Sequence, residues 1–427
     1  LSKSPTAFHA VENYRQILNA DGFKELLESE HWDIVPGGKY YVTRNNTSIL
    51  AFKVGTKLDN YSFNIVTSHT DSPTFKVKEN AEIEVKNKYT QLNTEGYGGM
   101  LCATWLDRPL SIAGRVLVSE GNSIVTKLLN IDRDLLMIPN VAIHMNRAAN
   151  DGFKYNLQVD MLPLLSAGDD RQKDFKQIIA DELGVKKEDI LGHDLYLYNR
   201  MAPSIWGANE EFISAGHLDD LQCGFASLKA LLAGYNDESI DIMACFDNEE
   251  VGSGTKQGAD STLLRDTLTR INSALGKTEE DYHRALASSF MLSSDNAHAV
   301  HPNHPEHTDA TNCTYMNEGV VVKSHAGQKY TSDGVSMAVV KALASGADVP
   351  LQYFANRSDK AGGSTLGNIA MAQASMNAVD IGLPQLAMHS SYETAGIKDT
   401  YYAISLMKAL FDSHIQETST HSLEIKR

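Results

Sequence analysis

The stretch Ile240 to Phe246 is an apolar run that ends on Asp247-Asn248-Glu249-Glu250-Val251-Gly252-Ser253-Gly254. Such a run reads as a buried strand, and the glycines after it can turn the chain into a helix. Similar runs stand at Tyr61–Ser68, Ser288–Ser294, Val320–Lys323, Leu351–Phe354 and Leu383–Met388. Several are separated by segments with helical spacing. A strand buried on both faces needs helices above and below it, so this alternation predicts an α/β fold. The same alternation puts chemically able residues at strand ends: His69 and Asp71 after one run, Glu249 and Glu250 after another, then Asp295 and His389.

Taken in order, residues 5 to 30 have the apolar spacing of a helix, carried by Phe8, Val11, Tyr14, Ile17 and Leu18. Lys39–Arg44 and Ser48–Val54 form a hairpin pattern around Asn45-Asn46. From about residue 82 to 211 the texture changes to short alternating runs and turns, which predicts a β-rich module inserted into the first domain. Within it, residues 171 to 188 have helical character and Asp194–Tyr198 reads as a strand. The expected organisation is therefore residues 1–81 and 212–427 as one discontinuous domain, with 82–211 as the insert. Asp219 and Asp220 open a predicted helix whose apolar face is Leu221, Phe225, Leu228, Leu231 and Leu232, closed by Gly234; acidic residues are also favoured there by the helix dipole. Further helices are expected at Ser261–Leu275, near 278–287, at Ser332–Ala344 and at Thr400–His414. The glycine cluster at 362–367 lacks the lysine of a phosphate loop and points to a close backbone approach.

A formal net charge of −16 with no basic run argues against nucleic acid or an anionic membrane as partner. No stretch of about 18 apolar residues is present to span a bilayer, so the expected location is the cytoplasm. The four cysteines, Cys102, Cys223, Cys245 and Cys313, are widely spaced and suit reduced thiols better than a disulfide frame. Four histidines between His298 and His307 follow no closed zinc pattern and read as loop residues.

In open α/β sheets, sites assemble beyond the carboxyl ends of the strands. His69, Asp71, Asp219, Glu249, Glu250, Asp295 and His389 can meet there. Two imidazoles and three carboxylates are a reasonable ligand set for two divalent ions, with one carboxylate shared and one acid left over to accept a proton from water.

Ser68-His69-Thr70-Asp71-Ser72-Pro73, Leu218-Asp219-Asp220-Leu221, Asp247 to Ser253, Ser294 to Asn303 and Met388-His389-Ser390 occur in this order, as do Ile138 to Arg147 and the cluster at 362–367. With these motifs the chain resembles, over nearly its whole length, the aspartyl aminopeptidase family of two-zinc metallopeptidases, in its bacterial branch. The resemblance implies a mixed-sheet α/β/α zinc-peptidase domain carrying an inserted β-rich oligomerisation domain. It also implies two divalent ions per subunit, zinc first, with Co2+ or Mn2+ able to share such ligands. His69 and Asp295 would hold one ion, Glu250 and His389 the other, and Asp219 would bridge. Glu249 would be the general base and Asp71 would orient His69. His144, on the insert, would reach a neighbouring subunit's site and stabilise the reacting carbonyl, and Lys323 would read an acidic first side chain. Peptides are the implied substrates and a homododecamer built from dimers the implied assembly. The nearest rivals are a two-metal carboxypeptidase or an N-acyl-amino-acid deacylase; a rival of another class is a non-catalytic assembly protein.

Overall fold

The computed structural model describes residues 1–168, 174–420 and 422–427. Its centre is a nine-stranded mixed sheet with the spatial order Lys24–Leu26, Lys39–Arg44, Ser48–Val54, Ser239–Phe246, Ser62–His69, Phe290–Ser294, Asn377–Gly382, Val320–Lys323 and Leu351–Phe354. Four neighbouring strands, from Ser239–Phe246 to Asn377–Gly382, run parallel. Their carboxyl ends therefore open on one edge, where Asp247, Thr70, Asp295 and Leu383 begin the loops.

Side chains alternate across this sheet as a two-residue period requires. Val66, Met243, Cys245 and Leu292 face one core with the helices Leu218–Ala233, Asp399–Phe411, Gly334–Gly346 and Ala7–Ala20. Phe63, Ile65, Ile242, Phe246 and Met291 face the other, with Leu263–Ala274, Glu279–Ala287 and Leu366–Gln373. The fold is thus the expected α/β/α sandwich. Each fully buried Phe or Ile on these strands contributes about 1.5–3 kcal/mol, which anchors the strand ends as a rigid platform.

A six-stranded antiparallel sheet, in the order Ser123–Asn130, Leu110–Glu120, Ile190–Asn199, Thr74–Val85, Tyr89–Tyr97 and Leu164–Ala167, has its own core around Phe75, Trp105, Ile112 and Leu195. Its first strand in chain order starts at Thr74, ahead of the boundary expected at 82, with only Thr70 to Pro73 between it and the main-sheet strand that ends at His69. A small third sheet joins Ser204–Trp206, Phe212–Ala215, Glu393–Gly396, Pro384–Leu386 and Ala297–His298.

Several expectations need correction. The first helix stops at Ala20; Gly22 takes a left-handed φ of +84°, and Lys24–Leu26 becomes an edge strand. Leu383–Met388 is not a strand of the main sheet: Asn377–Gly382 occupies that place, and only Pro384–Leu386 pairs, in the third sheet. Phe225 is exposed rather than part of its helix's apolar face. The helix expected at 171–188 is Phe175–Leu183, with residues 171–173 outside the described set. A helix over Leu366–Gln373 and a C-terminal hairpin, His414–Ser419 with Ser422–Lys426, have no counterpart in the expectations. The glycine cluster does make a close approach: a Cβ on Gly367 would lie 2.7 Å from the Ser293 Cβ.

Candidate metal centre

Asp219 sits where the chain enters the helix Leu218–Ala233, yet Asp219 and Asp220 both have non-helical backbone angles and a cis peptide joins them. Neither carboxylate is therefore spent on a regular first helical turn. Asp219 points its Oδ1 at His69 Nε2, 3.4 Å away, and its Oδ2 at His389 Nε2, 3.5 Å away. Glu250 Oε2 lies 3.3 Å from the same His389 nitrogen. Ligand atoms of His69, Asp219 and Glu250 all fall within 4.8 Å of one another, and so do those of Asp219, Asp220 and Asp295. Asp219 belongs to both sets.

Glu249 and Glu250 share one short 3-10 turn, Glu249–Val251, entered through Asn248 in the left-handed region at φ +61°. The turn is fastened from below by Asp71, whose Oδ1 and Oδ2 accept the Glu249 and Glu250 amides, each at 3.1 Å. Asp71 also faces the far side of His69, its backbone oxygen 3.1 Å and its Oδ1 3.4 Å from Nδ1. Second partners of this kind fix the orientation and tautomer of a ligating imidazole. Asp247 is buried and turned away, accepting the Asn248 amide at 2.7 Å.

The electrostatics call for cations. Burial lifts the Glu249 carboxyl to about 7 and Asp295 to about 6, and raises Glu250 well above the usual range, with neighbouring carboxylates adding to each. Asp219 goes the other way, because hydrogen bonds to His389 and His69 outweigh its burial. Asp220 Oδ1 and Glu250 Oε1 are buried without a hydrogen-bond partner, and Asp219 Oδ1 has only the 3.4 Å approach of His69. Unpaired buried carboxylate oxygens cost several kcal/mol unless a cation meets them. The residues present therefore fit divalent metal ions, with nitrogen and oxygen donors of the kind zinc takes.

Lys323 is buried, donates to the Asn296 backbone oxygen at 2.7 Å and stands 3.9 Å from Asp295 Oδ2. Burial opposes its charge, but Asp295, Tyr330 and Asp380 more than offset this and hold it protonated. His144 is not brought into the cluster; it lies exposed on the insert between Ile143 and Met145.

The model of the aminopeptidase I zinc metalloprotease family (M18) matches residues 1–411. The chain belongs to the M18 zinc aminopeptidases. It is 48% identical to the probable M18 family aminopeptidase 2 of Clostridium novyi over 416 residues, which cover 96% of both chains. The corresponding protein of Clostridium acetobutylicum is also 48% identical, over 93% of this chain and 94% of its own length. Among solved structures, the Ape4 and Nbr1 complex matches with TM-score 0.93 and 35% identity, covering 96% of this chain and 83% of the other. The S. cerevisiae mApe1 dodecamer matches with TM-score 0.84 and 28% identity, over 96% and 94%. The chain is accordingly a metallopeptidase of the aminopeptidase type.

Some residues of this M18 centre escaped the sequence reading. Glu393 accepts the backbone amides of both Asp219, at 3.0 Å, and His389, at 2.8 Å, and burial raises its carboxyl to about 8. Asn296 extends this support, donating to Gln385 Oε1 at 2.8 Å. The insert supplies the rest. His389 Nδ1 lies 3.0 Å from the Gly99 oxygen, the Leu101 amide donates to the His389 oxygen at 2.9 Å, and Tyr97 Oη donates to Asp71 Oδ2 at 2.7 Å. Gly98 has φ +76°, and a Cβ there would stand 3.1 Å from Glu250 Cβ, so glycine lets the insert pass directly against a ligand. In the sequence only the turn-forming run Gly96-Tyr97-Gly98-Gly99 points to it.

Tyr97→Phe is expected to keep its metal and its KM while kcat falls roughly 10-fold, the usual scale for loss of an outer partner. Asn248 Nδ2, which donates to Tyr97 Oη at 2.7 Å, would lose its acceptor too. Steady-state kinetics alongside elemental analysis check this; an unchanged kcat would show that Asp71 holds its place alone.

Proposed function

We propose that this M18 aminopeptidase removes acidic residues, Asp or Glu, from peptide N-termini, using two metal ions and Glu249 as general base. The observation that carries the reading is the division of labour around Asp219. Its two oxygens face two different imidazoles, and Glu249 is left without a direct contact to either histidine. His69 and Asp295 would hold one ion, Glu250 and His389 the other, with Asp219 between them. Bound zinc would acidify a water molecule and polarise the scissile carbonyl.

Glu249 takes a proton from the attacking water and returns it to the leaving amine, a role suited to a carboxyl lifted to about 7 by burial. Asp71 keeps His69 facing inward and anchors the Glu249 amide, so base and ligand share one support. The carboxylate-rich wall favours the free α-ammonium of a peptide, which restricts attack to the first bond. Lys323 supplies positive charge beside Asp295 for an acidic first side chain.

Assembly is part of the reading. Ile143 and Met145, at 44% and 79% exposure, flank His144 on the insert, and Val159, further along the insert, is 70% exposed. Apolar side chains so placed suit a subunit contact, and the yeast relative is described as a dodecamer. A homododecamer would bury this arm and carry His144 to a neighbour's carbonyl-binding site.

A panel of Asp, Glu, Leu and Lys anilides, each assayed with zinc, cobalt and manganese, tests the proposal. The acidic pair should lead in kcat/KM by at least about tenfold, the scale of 1.4 kcal/mol, and an N-acetylated Asp anilide should be inert. Preference for Leu or Lys would overturn the acidic specificity and leave the aminopeptidase assignment standing.

A further inference from the structure

Away from the catalytic cluster, the loop that leaves Asp295 folds two successive turns. The His304 amide bonds to the His301 oxygen at 3.0 Å and the His307 amide to the His304 oxygen at 3.2 Å. This three-residue step stacks the rings: the His301 and His304 centroids are 5.3 Å apart, those of His304 and His307 5.5 Å. All three are exposed, so ring packing gains little from burial. Glu306, on the same 3-10 turn, sets its Oε1 3.0 Å from His304 Nδ1.

We infer that His304, Glu306 and His307 form a separate surface site for a borderline divalent cation, Zn2+ or its Co2+, Ni2+ and Cu2+ relatives. Ligand atoms of these three residues already lie within 4.8 Å of one another. Tetrahedral zinc with bonds of about 2.1 Å needs ligands roughly 3.4 Å apart. Exposed side chains close that gap by rotation alone. The 3.0 Å between His304 Nδ1 and Glu306 Oε1 is bridged by a proton or, with small opening, by a metal ion. Two imidazoles and one carboxylate leave a coordination position for water or for a ligand from a neighbouring molecule.

His301 is excluded from the set on hydrogen-bond grounds. Its Nδ1 accepts the Asn303 amide at 3.2 Å, which places the proton of a neutral ring on Nε2 and leaves no free lone pair. It serves as a flat backing for His304. The backbone is held from the other side, because Arg357 donates to the Glu306 oxygen and so presents the turn rigidly. His301 and His307 also line a cavity of about 250 Å3 that reaches Met388, which precedes His389 in sequence.

The test compares zinc-loaded protein with the His304→Ala/His307→Ala double variant, both dialysed against one zinc buffer and assayed by elemental analysis. The parent is expected to hold one more zinc per chain than the variant, with equal turnover of an aminoacyl anilide by both. Glu306→Gln should fall between them at limiting zinc. Because the result is a difference, it does not depend on how many ions the catalytic centre holds. Equal zinc contents across the zinc titration would overturn the site.

Discussion

Glu249→Gln is expected to bind metal as the parent chain does and to lose about a thousandfold in kcat, within the range that general acid–base catalysis contributes. The substitution is nearly isosteric, and the groups that hold the turn are untouched: the residue 249 and 250 amides still donate to Asp71. What disappears is a carboxylate able to exchange a proton near neutral pH. Burial and the nearby Asp295, Asp71 and Asp219 lift the parent carboxyl to about 7, with His69 opposing. An amide neither accepts nor returns that proton. Elemental analysis together with kcat separates base from ligand: lost metal would make Glu249 a ligand, and near-parental turnover would move the base elsewhere. Glu250 gives the contrast, since its Oε2 contacts His389 and its Oε1 is buried without a partner.

What could be read in the sequence follows from how far each residue's signal extends. The hairpin Lys39–Arg44 and Ser48–Val54 is legible because Asn45 and Asn46 both take φ +58°, the requirement of a tight hairpin turn. The catalytic strands are legible because burial on both faces demands long, mostly apolar runs, as in Ser239–Phe246 with its single Asp241. Asn377–Gly382 is equally buried but was missed. It is only six residues long and Asp380 leaves just Ala378, Val379 and Ile381 as its apolar signal; that carboxylate is taken up by the Ser293 and Thr365 hydroxyls, which only the fold brings near. The edge strand Lys24–Leu26 has three residues, too few for any period to register.

The site divides in the same way. His69, Asp219, Glu250, Asp295 and His389 stand at strand ends or a helix entrance, and their side-chain chemistry announces them. Glu393 and Tyr97 act through other residues, by holding amides or a carboxylate, and no spacing rule marks such roles. The insert's direct contact with the centre was invisible for another reason. It depends on Gly98 and Gly99 offering backbone to Glu250 and His389, and backbone has no residue-type signature.

Asp219→Ala should lose most of its zinc, retaining under half of the parent's content per chain, and with it essentially all activity. One carboxylate serves both histidines, so its removal takes a ligand from each proposed ion at once. Asp295, proposed as a terminal ligand, lies in only one of the two clusters that share Asp219. The fold itself should tolerate the change. Asp219 is among the charges that raise Glu250, Glu249, Asp295 and Glu393, so deleting it relieves repulsion in the metal-free protein and offsets the loss of its contacts with His69 and His389. Its backbone contacts, through the amide to Glu393 and the carbonyl from Ser72, survive in alanine; the side-chain contacts with His69 and His389 are lost. Chelated parent and chelated variant should therefore melt close together, whereas added zinc should raise the melting temperature of the parent alone, since binding to the native state stabilises by mass action. Asp219→Asn, which keeps one oxygen, should retain an intermediate amount of metal. Full zinc content in Asp219→Ala would remove the bridge and leave two independent sites, each with its own histidine.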